Sequence, residues 1–273
     1  MDVKAGATVA ALQAGLPLEP LENRILLCHA LGLTRVGLIT QSERTITATE
    51  AAALAALVER RLHGEPIAYI VGRREFFGLD FRVTSAVLIP RPDTELLVEL
   101  ALARLPQQGR VLDMGTGSGA IAVAIAHTRR DAQVTALDVS PAALDIARQN
   151  AVTNGARVRL VQSDWFAALS GERFDMVVSN PPYIAEGDAH LSQGDLRFEP
   201  TGALTDHADG LSALRTIIAG APGHLEPGGW LLMEHGYDQA AQVRQLLTEH
   251  GYVDVASWRD LAGIERVTGG RAP

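Results

Sequence analysis

Arg110 to Met114 is an apolar run carrying one acid, Asp113, and it passes without a break into Gly115-Thr116-Gly117-Ser118-Gly119 and the apolar stretch Ile121 to Ala126. A strand that turns through glycines straight into a helix must recross its sheet, so the next strand lies parallel to the first. That strand is Gln133 to Asp138, and Ser140-Pro141 then opens a helix through Asn150. Arg157 to Val161 is a third strand, ending in Gln162-Ser163-Asp164-Trp165, and Phe174 to Val178 is a fourth. Further on, Leu211 to Ala219 reads as a helix, Gly229 to Met233 as a strand and Gln239 to His250 as a helix. Val253 to Trp258 and Arg266-Val267 supply a closing antiparallel hairpin. The expected fold is α/β, a Rossmann-like, mostly parallel sheet of about seven strands with helices on both faces.

The fourth strand stops at Ser179-Asn180-Pro181-Pro182-Tyr183. Two prolines can neither donate to a sheet ladder nor continue a helix, and each pushes its predecessor towards extended geometry. Asn180 is thereby held stiffly at the carboxyl edge of the sheet, where open α/β folds bind ligands. The Asn180 amide oxygen and the Pro181 carbonyl can both accept from one planar NH2 group, and Tyr183 can lie against that group. An amide or aromatic amine is a poor nucleophile, because its lone pair is delocalised. Two acceptors that fix its NH2 aim the lone pair at an electrophile. The plain alternative is a rigid turn after a strand, with asparagine as a local cap.

The strand ends upstream decide between these. A glycine-rich loop alone is a weak signal, and Gly115-x-Gly117-x-x-Ala120 also fits a dinucleotide fingerprint. Asp113 discriminates: a carboxylate there crowds a pyrophosphate but suits an ammonium group. Asp138, roughly 20 residues beyond the loop, is placed to accept both ribose hydroxyls. Asp164 can accept from an adenine amino group while Trp165 packs on the base. Each acid alone could be a helix cap; together with the glycines they imply one shared ligand. A ligand with an amine, a ribose and an adenine but no pyrophosphate is S-adenosylmethionine, with S-adenosylhomocysteine as product.

Residues 1–73 read as all-helical. Pro17-Leu18-Glu19-Pro20 punctuates a first short helix, Leu21 to Leu31 is a second, and Thr47-Ala48-Thr49-Glu50 is a capping box opening a helix through Arg61. Nothing in this part looks catalytic, and a small substrate-recognition bundle is expected. Residues 74–89 are expected to be a β-hairpin linker turning around Gly78-Leu79-Asp80, with three of the six phenylalanines, Phe76, Phe77 and Phe81, at a domain junction. Residues 90–273 form the catalytic domain. Pro92, Asp93 and Thr94 lead into a helix from Glu95 to Arg104, and Arg91 either touches a ligand carboxylate or pairs with a local acid. Ala185 to His207 is long, polar and aperiodic, and is assigned to substrate binding or gating.

Composition sets the remaining bounds. A single cysteine, Cys28, excludes an internal disulfide and a thiolate zinc site, and no metal is expected. A net charge of −8 argues against stable nucleic-acid binding. With neither a signal-peptide layout nor a bilayer-length apolar run, a cytoplasmic enzyme without membrane association is expected, as a monomer.

The order Asp113-x-Gly115-x-Gly117-x-Gly119, Asp138, Asp164, Asn180-Pro181-Pro182-Tyr183 resembles class I methyltransferases that act on planar NH2 nitrogens. Glu75-Phe76, Ile89-Pro90-Arg91-Pro92-Asp93-Thr94-Glu95, Glu199-Pro200, Gly210-Leu211 and Asp260-Leu261-Ala262-Gly263-Ile264-Glu265-Arg266 narrow it to the HemK/PrmC release factor glutamine methyltransferases. Glu234-His235-Gly236 departs from that pattern, which has a small apolar residue before the glycine, at a point expected to lie away from the pocket. The resemblance implies transfer of methyl from S-adenosylmethionine to the side-chain N5 of the Gly-Gly-Gln glutamine in class I peptide-chain release factors, modulating translation termination. It implies that Gly115, Thr116, Gly117, Ser118 and Gly119, with Asp113, carry the methionine moiety, that Asp138 holds the ribose, and that Asp164 and Trp165 hold the adenine. Asn180 and Pro181 would grip the acceptor amide, with Pro182 and Tyr183 as walls. The rival is an adenine-N6 nucleic-acid methyltransferase, which shares Asn-Pro-Pro-Tyr but needs a basic, aromatic target-recognition segment. A dinucleotide-dependent oxidoreductase would leave Asp113 and Asn180 unexplained.

Overall fold

A computed structural model describes residues 3–272. The chain folds into two compact units, one up to Gly72 and one from Arg73 onward. Among the described residues the first holds five helices, α1 (Val9–Gly15), α2 (Pro20–Leu31), α3 (Arg35–Thr40), α4 (Ala48–Leu62) and α5 (Ile67–Val71). Thr8 and Thr34 cap α1 and α3 through their hydroxyls, and α4 opens with the capping box read from Thr47 and Glu50. Val9, Leu26, Leu27, Leu38, Leu54 and Val58 form the core of this unit. Sequence periodicity missed α3 and α5 because helices this short show no repeat of an apolar face.

The second unit opens on β1 (Arg73–Phe76) and β2 (Leu79–Arg82), an antiparallel hairpin pairing Phe76 with Leu79. Its turn is Phe77-Gly78, one residue earlier than the sequence suggests. Both residues have positive φ, 52° and 74°, as a two-residue turn matching strand twist requires. Phe76 and Phe81 are buried in the same core cluster as Leu97, Val98 and Ile125, so the hairpin packs as part of this unit.

The remaining elements are α6 (Glu95–Arg104), β3 (Arg110–Met114), α7 (Ala120–Thr128), β4 (Gln133–Asp138), α8 (Pro141–Thr153), β5 (Val158–Gln162) and β6 (Phe174–Ser179). They continue as α9 (Thr201–Leu204), α10 (Ser212–Gly220), β7 (Leu225–Glu234), α11 (Ala240–Glu249), β8 (Val253–Arg259) and β9 (Glu265–Arg271). The strands form one seven-stranded sheet in the order β5-β4-β3-β6-β7-β9-β8, parallel except for β9, which runs antiparallel to both β7 and β8. Two core clusters cover its two faces. One takes side chains of α6 and α7, the other of α10 and α11. Ala120 to Ala126 are all buried, which is why α7 is apolar all round rather than along one stripe.

Strand order reverses between β3 and β6. β4 and β5 lie to one side of β3, and β6 and β7 continue on the other. At such a switch point the two connecting helices leave on opposite faces and a crevice opens beyond the strand ends. Met114 is in register with Ser179, and the Ser179 hydroxyl donates to the Met114 carbonyl at 2.8 Å. The glycine loop and Asn180 therefore emerge side by side from adjacent strands. Among the described residues, no helix is long and apolar enough to cross a membrane.

Candidate active site

The crevice beyond β3, β4 and β6 is a cavity of about 320 Å³, within the range of small-molecule sites. Gly115, Thr116, Gly117 and Ser118 line it, as do Asp138, Asp164, Trp165, Asn180, Pro181 and Pro182. Residues that sequence spacing placed at four separate strand ends thus surround one space. Asp113, Gly119 and Tyr183 are not among its lining residues.

Asp113 lies fully buried under the loop. Its Oδ2 accepts from the Thr116 hydroxyl at 2.6 Å and from the Ala122 amide at 3.2 Å, and its Oδ1 is a buried oxygen without a hydrogen-bond partner. Desolvation pushes its carboxyl up to about 7, against the lowering effect of those two bonds, with the Asp138 charge adding a smaller push upward. Asp138 braces the loop from the other side: its Oδ2 accepts from the Gly117 amide and its Oδ1 from the Ser140 amide, both at 2.9 Å.

The three glycines differ in what surrounds them. Gly115 and Gly117 have φ of 70° and 55°, and a Cβ on either would meet nothing within 4 Å. Both border the cavity, so this is a cradle that side chains would fill. Gly119 has φ 82°, and a Cβ there would stand 3.1 Å from the Ala147 Cβ and 3.2 Å from its Cα. That third glycine serves the close approach of the α7 start to α8. The donor set fits S-adenosylmethionine: an open glycine cradle, a carboxylate at the β4 end, and an orphaned buried carboxylate oxygen beneath the loop. Trp165, half-buried and at φ 45°, stands beside the exposed Asp164 on the far wall. No group of three or more His, Cys, Asp or Glu among the described residues is arranged to hold a metal ion.

Asn180 is part of a network that its own sequence neighbourhood does not reveal. Its Nδ2 donates to the Thr94 hydroxyl at 3.2 Å. The Tyr183 hydroxyl donates to the Glu234 Oε1 at 3.3 Å, and burial pushes the phenol well above its ordinary range. Tyr183 is also held through its carbonyl, which accepts from Gln239 Nε2 at 3.0 Å. Glu234 thus touches the motif through Tyr183 without lining the cavity, and the residue that departs from the family pattern, His235 before Gly236, is buried and bonded to the Thr268 hydroxyl, also away from the cavity. Glu234 ends β7, the strand next to β6, and so faces the residues that follow Ser179.

The Ile89-to-Glu95 segment is explained in the same way. Arg91 lines the cavity and pairs with Glu199, a partner 108 residues away rather than a local acid. The Glu199 carboxylate is completely buried and also accepts from the Ile89 amide at 2.9 Å. Glu95 accepts from the Phe77 amide at 2.9 Å, which ties the hairpin turn to α6. The 185–207 stretch is less irregular than its composition implied. It contains single turns at Ala189–Ser192 and Leu196–Phe198 and the short α9, with Glu199 anchoring it and Pro200, Gly202 and Ala203 reaching the cavity. Sequence reasoning left out Thr94, Glu199 and Glu234. All three stand in segments quoted for the family resemblance, but nothing local gave them a site role, because their partners lie 51 to 108 residues away.

Comparison with known proteins gives the family. Residues 92–196 match the methyltransferase small domain family, and residues 6–72 match the PrmC N-terminal domain family. A release factor glutamine methyltransferase of Burkholderia pseudomallei is 57% identical over 276 residues, covering 98% of this chain and 97% of the relative. One from Xylella fastidiosa is 54% identical, covering 94% of each. Among solved structures, a methyltransferase from Pyrococcus furiosus superposes with a TM-score of 0.55 at 21% identity, over 78% of this chain and 96% of that one, a likeness of fold. Identity of this extent spans both compact units, and the chain belongs to the release factor glutamine methyltransferase family.

Proposed function

We propose that the protein methylates the side-chain amide nitrogen of the glutamine in the Gly-Gly-Gln motif of class I release factors, using S-adenosylmethionine. The observation that carries this is a single cavity bordered by the glycine loop, Asp138 and Asn180-Pro181-Pro182, in a chain 57% identical to a release factor glutamine methyltransferase. The adenine-N6 alternative is not favoured, because relatives matching nearly the whole chain carry the glutamine name.

When bound, S-adenosylmethionine supplies an electrophilic methyl on a sulfonium sulfur that keeps the bonding pair. Gly115 and Gly117 open the space for its methionine end, and Asp113 beneath the loop braces it through the Thr116 hydroxyl and the Ala122 amide. Asp138 faces the ribose, and Asp164 with Trp165 faces the adenine. Asn180 Oδ1 and the Pro181 carbonyl accept from the glutamine NH2, which holds that nitrogen and favours pyramidalisation, with Pro182 and Tyr183 walling the site. The N–H proton leaves to solvent as the N–C bond forms, so no strong base is required. Positioning and electrostatics do the catalysis.

The helical unit ending at Gly72 would recognise the release factor body, with residues 74–89 as connector and 90–273 as catalytic domain. A cytoplasmic monomer needing no metal, and binding neither membrane nor nucleic acid stably, completes the proposal. The test is label transfer from radiolabelled cofactor to three acceptors: a release factor, the same factor with its Gly-Gly-Gln glutamine changed to alanine, and duplex DNA. Label on the first alone is expected, falling about 100-fold or more with Asn180→Ala while S-adenosylhomocysteine still binds. Label on DNA, or equal label on both release factors, would refute the assignment.

A further inference from the structure

Gln239 stands at the N-cap position of α11, but its side chain makes no bond to the first turn of that helix. It is 9% exposed and turns its carboxamide onto three backbone groups instead. Oε1 accepts from the Gly236 amide at 2.8 Å, while Nε2 donates to the Tyr183 carbonyl at 3.0 Å and to the Gly210 carbonyl at 3.1 Å. The Gly236 amide can only donate and the two carbonyls can only accept, so one orientation of the carboxamide satisfies all three. Two glycines allow this close approach. A Cβ on Gly210, whose φ is 79°, would stand 2.6 Å from the Tyr183 carbonyl oxygen and 3.0 Å from Gln239 Nε2. One on Gly236 would stand 3.1 Å from Gln239 Oε1.

The Tyr183 carbonyl closes a short span that begins in the cavity wall. At its entry, the Ser179 hydroxyl donates to the Met114 carbonyl at 2.8 Å and Asn180 Nδ2 donates to the Thr94 hydroxyl at 3.2 Å. At its exit, the Ile184 amide donates to the Leu204 carbonyl at 3.0 Å and the Glu186 amide to the Ala208 carbonyl at 2.8 Å. The exit thus pairs with the stretch leading to Gly210, which Gln239 also holds. Between the two ends lie Pro181 and Pro182. Each has φ locked at about −65°, and each confines the residue before it to extended geometry. Few backbone rotations are left to absorb a shift of Tyr183, so the Pro181 carbonyl turns with it. Gln239 does not line the cavity and acts through this turn. Building on the glutamine methyltransferase function above, we propose that Gln239 is a positioning residue of the reaction: by holding the Tyr183 and Gly210 carbonyls, it sets the direction in which the Pro181 carbonyl meets the acceptor NH2.

Glutamate at this position has the same shape and a different hydrogen-bonding capacity. Ionised, it still accepts from Gly236 but has no donor for either carbonyl; protonated, it regains one O–H donor. The charged and titratable groups around it come from every neighbouring segment. Asp206 accepts from the Gly210 amide at 3.0 Å, and Asp209 beside it pairs with Arg215. Glu234 accepts from the Tyr183 hydroxyl, His235 precedes Gly236, the Asp238 carboxylate lies beside Gly236, and Arg91 and Arg266 act on Tyr183. Burial and the unpaired carboxylates among these favour the protonated form of a glutamate here. Gln239→Glu therefore restores one of the two lost bonds as pH falls.

The test uses the full-length protein with Gln239→Met and Gln239→Glu. Release-factor kcat and KM are measured per S-adenosylhomocysteine site counted by calorimetry, together with hydrogen exchange over residues 183–186 and 204–211. Gln239→Met should lower kcat about 10- to 100-fold, leave KM and S-adenosylhomocysteine affinity within a few-fold, and speed exchange in both segments. Gln239→Glu should match that loss at about pH 8.5, and its kcat relative to the parent at the same pH should recover several-fold by about pH 6.5. The ratio for Gln239→Met should stay flat with pH, because taking ratios to the parent cancels titrations elsewhere in the molecule. Parental kcat in Gln239→Met would overturn the proposal. So would a pH-independent ratio in Gln239→Glu, which decides the matter within one protein even where Gln239→Met folds poorly. A loss that disappears when counted per S-adenosylhomocysteine site is loss of folded protein and would equally overturn it. If exchange responds but even the unmodified protein transfers no methyl to a release factor, the hold on the turn stands and the acceptor assignment falls.

Discussion

Gly117→Ala and Gly119→Ala change neighbouring glycines of one loop, and the structure predicts opposite consequences. Both positions have left-handed backbone, φ 55° and 82°, which costs an alanine about 1–2 kcal/mol. At Gly117 that is the whole cost to folding, because a new methyl meets nothing within 4 Å. At Gly119 the methyl stands 3.1 Å from Ala147 Cβ and 3.2 Å from its Cα, and backbone on α8 cannot yield as a flexible side-chain tip would. Overpacking of this kind adds about 1–3 kcal/mol, for a total of about 2–5 kcal/mol. For a unit of this size each kcal/mol lowers the melting temperature by about 2–4 °C. Gly119→Ala should therefore lose roughly 4–20 °C and Gly117→Ala roughly 2–8 °C. Affinity should move the other way, since the Gly117 methyl enters the cavity margin: S-adenosylhomocysteine should bind about tenfold or more weaker, about 1.4 kcal/mol. For Gly119→Ala the ligand affinity, measured below its transition, should stay within a few-fold of the parent. All three tryptophans, Trp165, Trp230 and Trp258, lie in the second unit, so intrinsic fluorescence follows the unfolding of the unit in question. If Gly119→Ala is as stable as the parent while its ligand affinity collapses with that of Gly117→Ala, the division of the loop into cradle and packing glycine is wrong.

Other perturbations test the buried charges. Asp113 and Glu234 both have carboxyls raised to about 7 by burial, so the folded state holds protons that the unfolded chain releases near pH 4. The stability these groups contribute is complete below their unfolded pKa and is lost as pH rises towards 7, by up to about 1.4 kcal/mol per pH unit for each. In urea unfolding between pH 5 and 7, Glu234→Gln and Asp113→Asn should each flatten that decline, and an unchanged slope would contradict the burial assignment. Arg91→Met leaves the fully buried Glu199 carboxylate with the Ile89 amide alone. Because Arg91 is about a third exposed, the loss should be about 2–4 kcal/mol by denaturant titration, with faster proteolysis between 189 and 199. Wild-type stability and cleavage rate would show that the pair does not anchor that segment.

The parts of the fold legible in the sequence were those written in local chemistry. The run from Arg110 through Gly119 to Ala126, the acid ending β4 and the two prolines after Asn180 each specify an element boundary through neighbours only a few residues away. Hence β3, β4, β6 and α6 were placed to within a residue or two. The capping box at Thr47 worked for the same reason. The hairpin turn was displaced by one residue because Gly78 suits several turn positions, and only the pairing of Phe76 with Leu79 selects one. α3 and α5 escaped because they are shorter than the window in which a period can be seen.

The candidate site divides along the same line. Sequence by itself determined which groups stand at the strand ends, since strand termini and glycine loops follow from residue order. It could not determine that the third glycine packs against Ala147 while the first two face the cavity, or that Thr94 forgoes its helix cap to hold Asn180. Nor could it show that Arg91 and Glu199 meet, or that Glu234 at the end of β7 accepts from Tyr183. Those facts depend on β3, β6 and β7 lying side by side in register, a long-range pairing whose partners are separated by tens of residues. Hydrogen-bond polarity and burial are properties of such meetings. Glu234 is held out of water beside the Tyr183 hydroxyl only because the sheet sets the end of β7 next to the residues that follow β6.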